Sequence, residues 1–227
     1  MIDYEAAETT RARYVHRLHL RALGSVLHLD PRDRVLDYGC GVGRLAAWLA
    51  PRVAEVIGID PSPAMIAEAG RRVVAPNLRW LAVETAPRGL PSLQVDGVLC
   101  VWVLQHVLDE EAFGATLDYL ASALRPGGWL VTLDRLCREP VHEVGDYLCI
   151  RPRGAYLDAF AARGLRLCSA RPVSVGEQVL GSAALTRWVA RHPGSHGLLS
   201  ALDLAWAARQ PDPFLADTLC LLRKPAA

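Results

Sequence analysis

The sequence predicts an α/β fold: a mostly parallel sheet with helices on both faces. Two observations carry this. Short apolar runs alternate with helix-like segments from residue 34 to residue 134, the pattern of parallel strands joined by helical crossovers. One run, VDGVLCV at 95–101, is apolar almost throughout, as a strand buried on both faces must be. At 227 residues the chain suffices for one such domain and is too short for two of full size. Residues 1–227 are therefore read as a single unit.

The elements follow in order. Residues 3–28 are read as an N-terminal helix, because Val15, Leu18, Ala22 and Val26 share one stripe, with Leu23 and Leu27 beside it. LDPRD makes a turn. RVLDY (34–38) is a strand and 43–50 a helix. EVIGID (55–60) is the second strand, 63–73 the second crossover helix and LRWLAV (78–83) the third strand. After VDGVLCV comes a helix over 109–124. Asp109 stands at its N-cap, and Glu110 and Glu111 lie in its first turn, where the helix dipole favours negative charge. GGWLVTLD (127–134) is the fifth strand. Residues 135–150 read as a loop, 151–163 as a helix closed by Gly164, and LRLCSA (165–170) as a sixth strand. Residues 177–210 hold two helix-like pieces around HPGSHG. They are read as an insertion, either a lid on the active face or a contact to a second copy in a homodimer. ADTLCLLR (216–223) closes the chain as the last strand.

Composition removes several classes of function. Apolar residues make up 52% and charged residues 22%, an ordinary globular balance. Twenty-five basic against 24 acidic residues leave a net charge of +1, without the basic excess that marks a nucleic-acid binder. The longest apolar run, residues 98–104, is too short to span a bilayer. The opening MIDYEAAETTRARY lacks the apolar stretch of a signal peptide. A cytoplasmic protein with no membrane partner is expected. None of the six cysteines forms a CxxC pair, so a zinc ribbon or redox motif is not indicated, and reduced buried thiols are expected at Cys100, Cys168 and Cys220. Lys224 is the single lysine, an Arg bias typical of a high-GC bacterial genome.

The strongest local signal is VLDYGCGVGRLA at 35–46. A strand runs into Gly39, Gly41 and Gly43, and a helix then begins. Such glycines allow a tight turn and bring bare backbone against a ligand. GVGRLA satisfies the permissive dinucleotide fingerprint, and Asp60 follows at the spacing of about 20 residues expected of a ribose-binding acid. Asp37 argues against a dinucleotide, because a carboxylate two residues before the first glycine repels a pyrophosphate. It suits a ligand with an amino group and no phosphate, such as S-adenosylmethionine.

These residues resemble a family. VLDYGCGVGRLAAWLA is similar to motif I of class I S-adenosylmethionine-dependent methyltransferases. VIGIDPSPAMI, VETAPRGLP, VDGVLCVWVLQHV and LRPGGWL resemble its later motifs, in the same order, over residues 34–134. The resemblance implies a Rossmann-like sheet of seven strands with the last antiparallel. It also implies roles. Gly39, Gly41 and Gly43 shape the loop around the methionine part, and Asp37 meets its amino group. Asp60 accepts from both ribose hydroxyls, and Met65 packs on the adenine face. Glu84, where an Asp is more usual, and Thr85 lie at the adenine edge. Cys100 and Val101 pass the methionine moiety. S-adenosylhomocysteine is the implied product.

Methyl transfer from a sulfonium needs an aligned nucleophile with a free lone pair. For an alcohol or phenol that means a base near the acceptor. His142, in the polar run EPVHEVGDY, and His106, just past the fourth strand, are the candidate bases. Tyr14, Trp102 and Tyr147 are the candidate substrate contacts. The pairs His16/His19 and His192/His196 lack a carboxylate or thiolate partner nearby in sequence, so no metal is expected. The expected function is transfer of a methyl group to an O or N atom of a small molecule, in bacterial secondary metabolism. The alternatives are a cyclase-type enzyme that binds the same cofactor without transfer, and a non-catalytic cofactor-binding subunit.

Overall fold

The computed structural model describes residues 10–84, 87, 89–138, 142–144, 146–174, 205 and 215–226. The chain starts with helix α1 (Thr10–Gly24). It continues through β1 (Arg34–Tyr38), α2 (Arg44–Leu49), β2 (Glu55–Asp60), α3 (Pro63–Arg72), β3 (Leu78–Ala82) and β4 (Val95–Val101). Then come α4 (Glu110–Ala123), β5 (Leu124–Cys137), β6 (His142–Val144), β7 (Leu148–Pro152), α5 (Arg153–Ala161), β8 (Arg166–Ser174) and β9 (Leu215–Arg223).

Strands β3, β2, β1, β4 and β5 lie side by side in that order, all parallel. β9 runs antiparallel along the other edge of β5, and β8 pairs antiparallel with β9. The chain winds outward from β1 to β3 and then returns to start again at β4. The crevice between the ends of β1 and β4 is thus the topological switch point, where open α/β sheets bind ligands.

Both faces of this sheet are covered. Val35, Val56, Leu99 and Val131 pack against Leu18 and Leu23 of α1 and Leu45 and Leu49 of α2. Leu36, Ile57, Val98 and Leu130 pack against Leu117 and Leu120 of α4 and Tyr156 and Phe160 of α5. Successive strand residues point to opposite faces, so burial on both explains the continuous apolar runs. The N-cap of α4 is as expected: an Asp109 side-chain oxygen accepts from the Ala112 N–H at 2.8 Å.

Four local readings change. α1 ends at Gly24, four residues early, because Gly24 and Ser25 are poor helix formers and the Ser25 hydroxyl donates back to the Ala22 carbonyl. Residues 135–150 are not a loop. β5 runs on to Cys137, and β6 and β7 form a hairpin that takes up the edge of β5 left free where β4 ends. The buried stretch Leu148, Cys149 and Ile150 is its apolar signal, obscured in the sequence by the polar run before it. The following helix starts two residues late, at Arg153, because Arg151 and Pro152 complete β7. Cys168 is exposed, while Cys100 and Cys220 are buried thiols as expected. The 177–210 insertion lies outside the described residues except for Ala205. No helix among the described residues is long and apolar enough to cross a membrane.

Candidate active site

The glycine loop sits at the switch point. Gly39, Gly41 and Gly43 all have left-handed φ, at 72°, 53° and 79°, a region where a side chain is strained. Gly39 also faces Val103, whose Cγ2 would lie 2.3 Å from an added Cβ. Gly43 backs onto Trp80, Val73 and Ala69, so it also serves helix–sheet packing.

Two carboxylates flank the loop. Asp60, 9% exposed at the end of β2, accepts from the Gly41 N–H at 2.9 Å through Oδ2 and from the Ser62 N–H at 2.9 Å through Oδ1. Each oxygen keeps a lone pair for a ligand hydroxyl. Asp37, at the end of β1, is 2% exposed, and its Oδ2 has no hydrogen-bond partner. Burial pushes this carboxyl up to about 7, opposed by Arg44 and the Ala46 N–H and assisted by Asp60. A buried carboxylate oxygen with no donor is costly unless something completes it. A ligand ammonium does so. S-adenosylmethionine therefore fits the residues present.

The remaining expected contacts divide. Met65 is half-buried in the first turn of α3, where the Ser62 hydroxyl caps its N–H. Glu84 is exposed after β3, and Thr85 lies outside the described residues. Val101 is buried on the α1/α2 face, at the end of β4. The Cys100 side chain, 0% exposed, points into the opposite core among α4 and α5; only its backbone can meet a ligand. Tyr14 is corrected from substrate contact to core: it is 4% exposed and packs with Leu18 and Leu45.

At the end of β4 the chain turns sharply. Trp102 has a left-handed φ of 58°, and its buried indole Nε1 has no partner. Its ring meets His19 edge-on, with centroids 4.6 Å apart. A 3₁₀ turn, Leu104–His106, follows. His106 Nδ1 lies 2.8 Å from the Tyr147 carbonyl. Because a carbonyl only accepts, Nδ1 carries the proton and Nε2 is the accepting nitrogen, 3.4 Å from the Gln105 side-chain amide nitrogen. His106 and Tyr147 are thus brought together, with Tyr147 exposed in the hairpin turn. His142 lies on β6 opposite Ile150; its side chain is outside the described residues.

The methyltransferase domain family matches residues 35–128. Trans-aconitate 2-methyltransferase of Methylobacterium nodulans is 33% identical over 176 residues, 74% of this chain and 65% of that protein. The chain belongs to the class I S-adenosylmethionine-dependent methyltransferase family. A ubiquinone biosynthesis O-methyltransferase of Bradyrhizobium diazoefficiens is 39% identical over 108 residues, 45% of this chain and 40% of that protein. The chain thus spans less than two thirds of the length of either relative. In fold it resembles the [4+2]-cyclase SpnF, with a TM-score of 0.67 at 21% identity, over 93% of this chain and 81% of that one.

Three features of this site escape the sequence reading. Arg44 reaches back to α1, where Nη1 lies 3.0 Å from His16 Nδ1 and Nη2 lies 3.4 Å from His19 Nδ1. The i,i+3 spacing that raises and dismisses a metal for these histidines is the signal of one shared face, here turned to Arg44. Asp134, at the far end of β5, is 1% exposed and accepts from the Tyr156 hydroxyl at 2.7 Å and the Gln105 N–H at 3.3 Å. Arg151 donates to the Leu104 and Val107 carbonyls and to Glu110, tying the hairpin to the turn after β4. Its guanidinium also lies over the Phe113 ring, 3.8 Å from the centroid.

Proposed function

We propose that this chain transfers a methyl group from S-adenosylmethionine to an oxygen or nitrogen of a small molecule, in bacterial secondary metabolism. The observation that carries the cofactor is the partnerless Asp37 Oδ2 beside the glycine loop. When bound, S-adenosylmethionine supplies an electrophilic methyl carbon on a cationic sulfur. Asp37 takes its amino group, and Asp60 takes the ribose hydroxyls on lone pairs left by Gly41 and Ser62. Met65 covers the adenine, with Glu84 and Thr85 at its edge. The names of the trans-aconitate and ubiquinone relatives support a small acceptor, as does the near-neutral charge of the chain.

On the acceptor side, His106 is the base. Its Nδ1–H is held by the Tyr147 carbonyl, and Nε2, once the acceptor takes the place of the Gln105 amide, receives the acceptor's proton as the new bond forms. Trp102 and Tyr147 are assigned to the acceptor as its contacts. His142 is the second candidate base. The activity needs no metal, and none of these roles uses one. The likeness to SpnF keeps a cyclase-type reaction as the alternative reading.

Calorimetry with S-adenosylhomocysteine and NAD tests the cofactor. Micromolar affinity for the first, about −8 kcal/mol, and none for NAD supports the proposal; the reverse defeats it. An acceptor screen that reads S-adenosylhomocysteine release then separates transfer from cyclisation or a non-catalytic role. Turnover of an acceptor without that release assigns the cyclase-type reading.

A further inference from the structure

We infer that Arg44 is a positioning residue for cofactor capture: the two α1 imidazoles hold its guanidinium, so that it keeps Asp37 charged without occupying it. The inference rests on the proposed function, because it concerns the carboxylate assigned to the cofactor's amino group.

The geometry is specific. Arg44 is the first residue of α2, directly after Gly43. Its two terminal nitrogens go to His16 and His19, and Asp37 Oδ2 has no partner. An Arg nitrogen can only donate, so both Nδ1 atoms accept and are unprotonated. The imidazoles are therefore neutral and carry their protons on Nε2. Burial, with Arg44 the next cause, lowers His16 to about 4 and holds His19 well below the usual value. A neutral imidazole anchors a cation without cancelling its charge, whereas a carboxylate in the same place would cancel it.

The charges around Asp37 make this matter. Asp60 on β2 lies near it and opposes its ionisation. Cys40 in the loop and Cys100 on β4 feel its charge and are raised further above their usual range by it. Arg17, the next residue on α1, also opposes protonation of His16. Arg44 is the one cation among the described groups that favours ionised Asp37. A direct salt bridge would favour it more, but would fill the oxygen that the ammonium needs. Arg44 held by the imidazoles leaves Oδ2 open, and the docking of α1 completes the arrangement.

The test is the pH dependence of S-adenosylhomocysteine affinity in wild type, Arg44→Gln and Arg44→Lys, by calorimetry on the full chain. Comparing proteins at the same pH cancels the ligand's own ionisation. Arg44→Gln keeps a donor for the imidazoles and removes the charge. With the Asp37 midpoint moved up one pH unit from about 7, its affinity should fall about 5-fold below wild type at pH 7 and about 10-fold by pH 6, and converge with wild type by about pH 9. Arg44→Lys should track wild type. Asp37→Asn, placed in both backgrounds, should abolish the difference between them. Parallel profiles for wild type and Arg44→Gln, offset equally at every pH, would overturn the inference and leave Arg44 a packing residue. If Arg44→Gln does not fold, Arg44→Met, which needs no partner, makes the same comparison. Absence of binding by wild type at any pH would instead defeat the cofactor assignment.

Discussion

Asp60 Oδ2 lies 2.9 Å from the backbone nitrogen of Gly41. The acid at the end of β2 thus holds the glycine loop at the end of β1, across the two central parallel strands. The same carboxylate takes the Ser62 N–H that starts the approach to α3. One side chain therefore shapes the loop, seats the next helix and presents its remaining lone pairs to the crevice.

Asp60→Ala should cost cofactor affinity on two counts. It removes the two charge-assisted bonds assigned to the ribose, each worth about 1.5–3 kcal/mol, and it frees the Gly41 N–H. A loss of at least ~100-fold in S-adenosylhomocysteine affinity is expected by calorimetry, with a folded protein by circular dichroism. Affinity within threefold of wild type would remove Asp60 from the ribose.

Gly39→Ala should destabilise the protein through two separable effects. A φ of 72° strains any residue with a Cβ, and that Cβ meets Val103 Cγ2. The strain costs about 1–2 kcal/mol, and the clash adds to it. Adding Val103→Ala should recover the clash and not the strain. Urea unfolding of the four proteins in the cycle measures both. Full recovery in the double variant would show that the backbone carries no strain.

The frame of the molecule was legible because it rests on periodicity. β1, β2, β4 and α4 fall within a residue of expectation, since burial on both faces writes an uninterrupted apolar run and the Asp109 cap writes a clear helix start. Asp37 and the three glycines were legible together for a related reason: they belong to one strand-turn-helix unit, and Asp60 ends the next strand. The missed interactions join residues far apart. Arg44 meets His16 and His19 across 28 and 25 positions, and Tyr156 meets Asp134 across 22. No local pattern announces such a pairing. The β6/β7 hairpin was missed because His142, Glu143 and Asp146 give a solvated appearance to a segment whose buried half is only Leu148, Cys149 and Ile150.

Tyr156→Phe tests the second of these pairings. The Tyr156 hydroxyl donates to Asp134 Oδ2 at 2.7 Å in the core, where burial already pushes Asp134 up to about 6 and this bond works against that rise. Removing it leaves a buried carboxylate short of a donor, at a cost of about 2–3 kcal/mol. A Tm lower by roughly 5–10 °C is expected at pH 7.5. The loss should shrink toward pH 5, where a protonated Asp134 no longer needs the donor. A Tm unchanged at both values would show that the bond is not stabilising.

The His16–Arg44–His19 clamp should also set the acid limb of stability. The folded state keeps both imidazoles neutral below their usual range, His16 down to about pH 4 and His19 by burial well below its usual value. The unfolded chain takes up protons below its usual value near 6.5. These histidines therefore withdraw stability as pH falls from about 6.5 toward 4. Asp37 and Asp134, raised to about 7 and about 6, act in the opposite sense and gain stability over the same fall. The difference between wild type and variant isolates the imidazoles. His19→Gln keeps an acceptor for Arg44 and cannot titrate, so its Tm should fall less than that of wild type between pH 7 and pH 5. Equal slopes in the two proteins would mean that His19 titrates normally in the fold.

His106→Ala should separate the base from its surroundings. The Tyr147 carbonyl fixes the proton on Nδ1, so the nitrogen left for catalysis is Nε2, on an exposed ring in the turn that follows β4. Once an acceptor is in hand, kcat should drop by about 10² to 10⁴, while affinity for S-adenosylhomocysteine stays within twofold. His142→Ala, measured beside it, decides between the two histidines. A large kcat loss there with a nearly wild-type His106→Ala would move the base to β6 and leave His106 as the strut that ties the β4 turn to the hairpin.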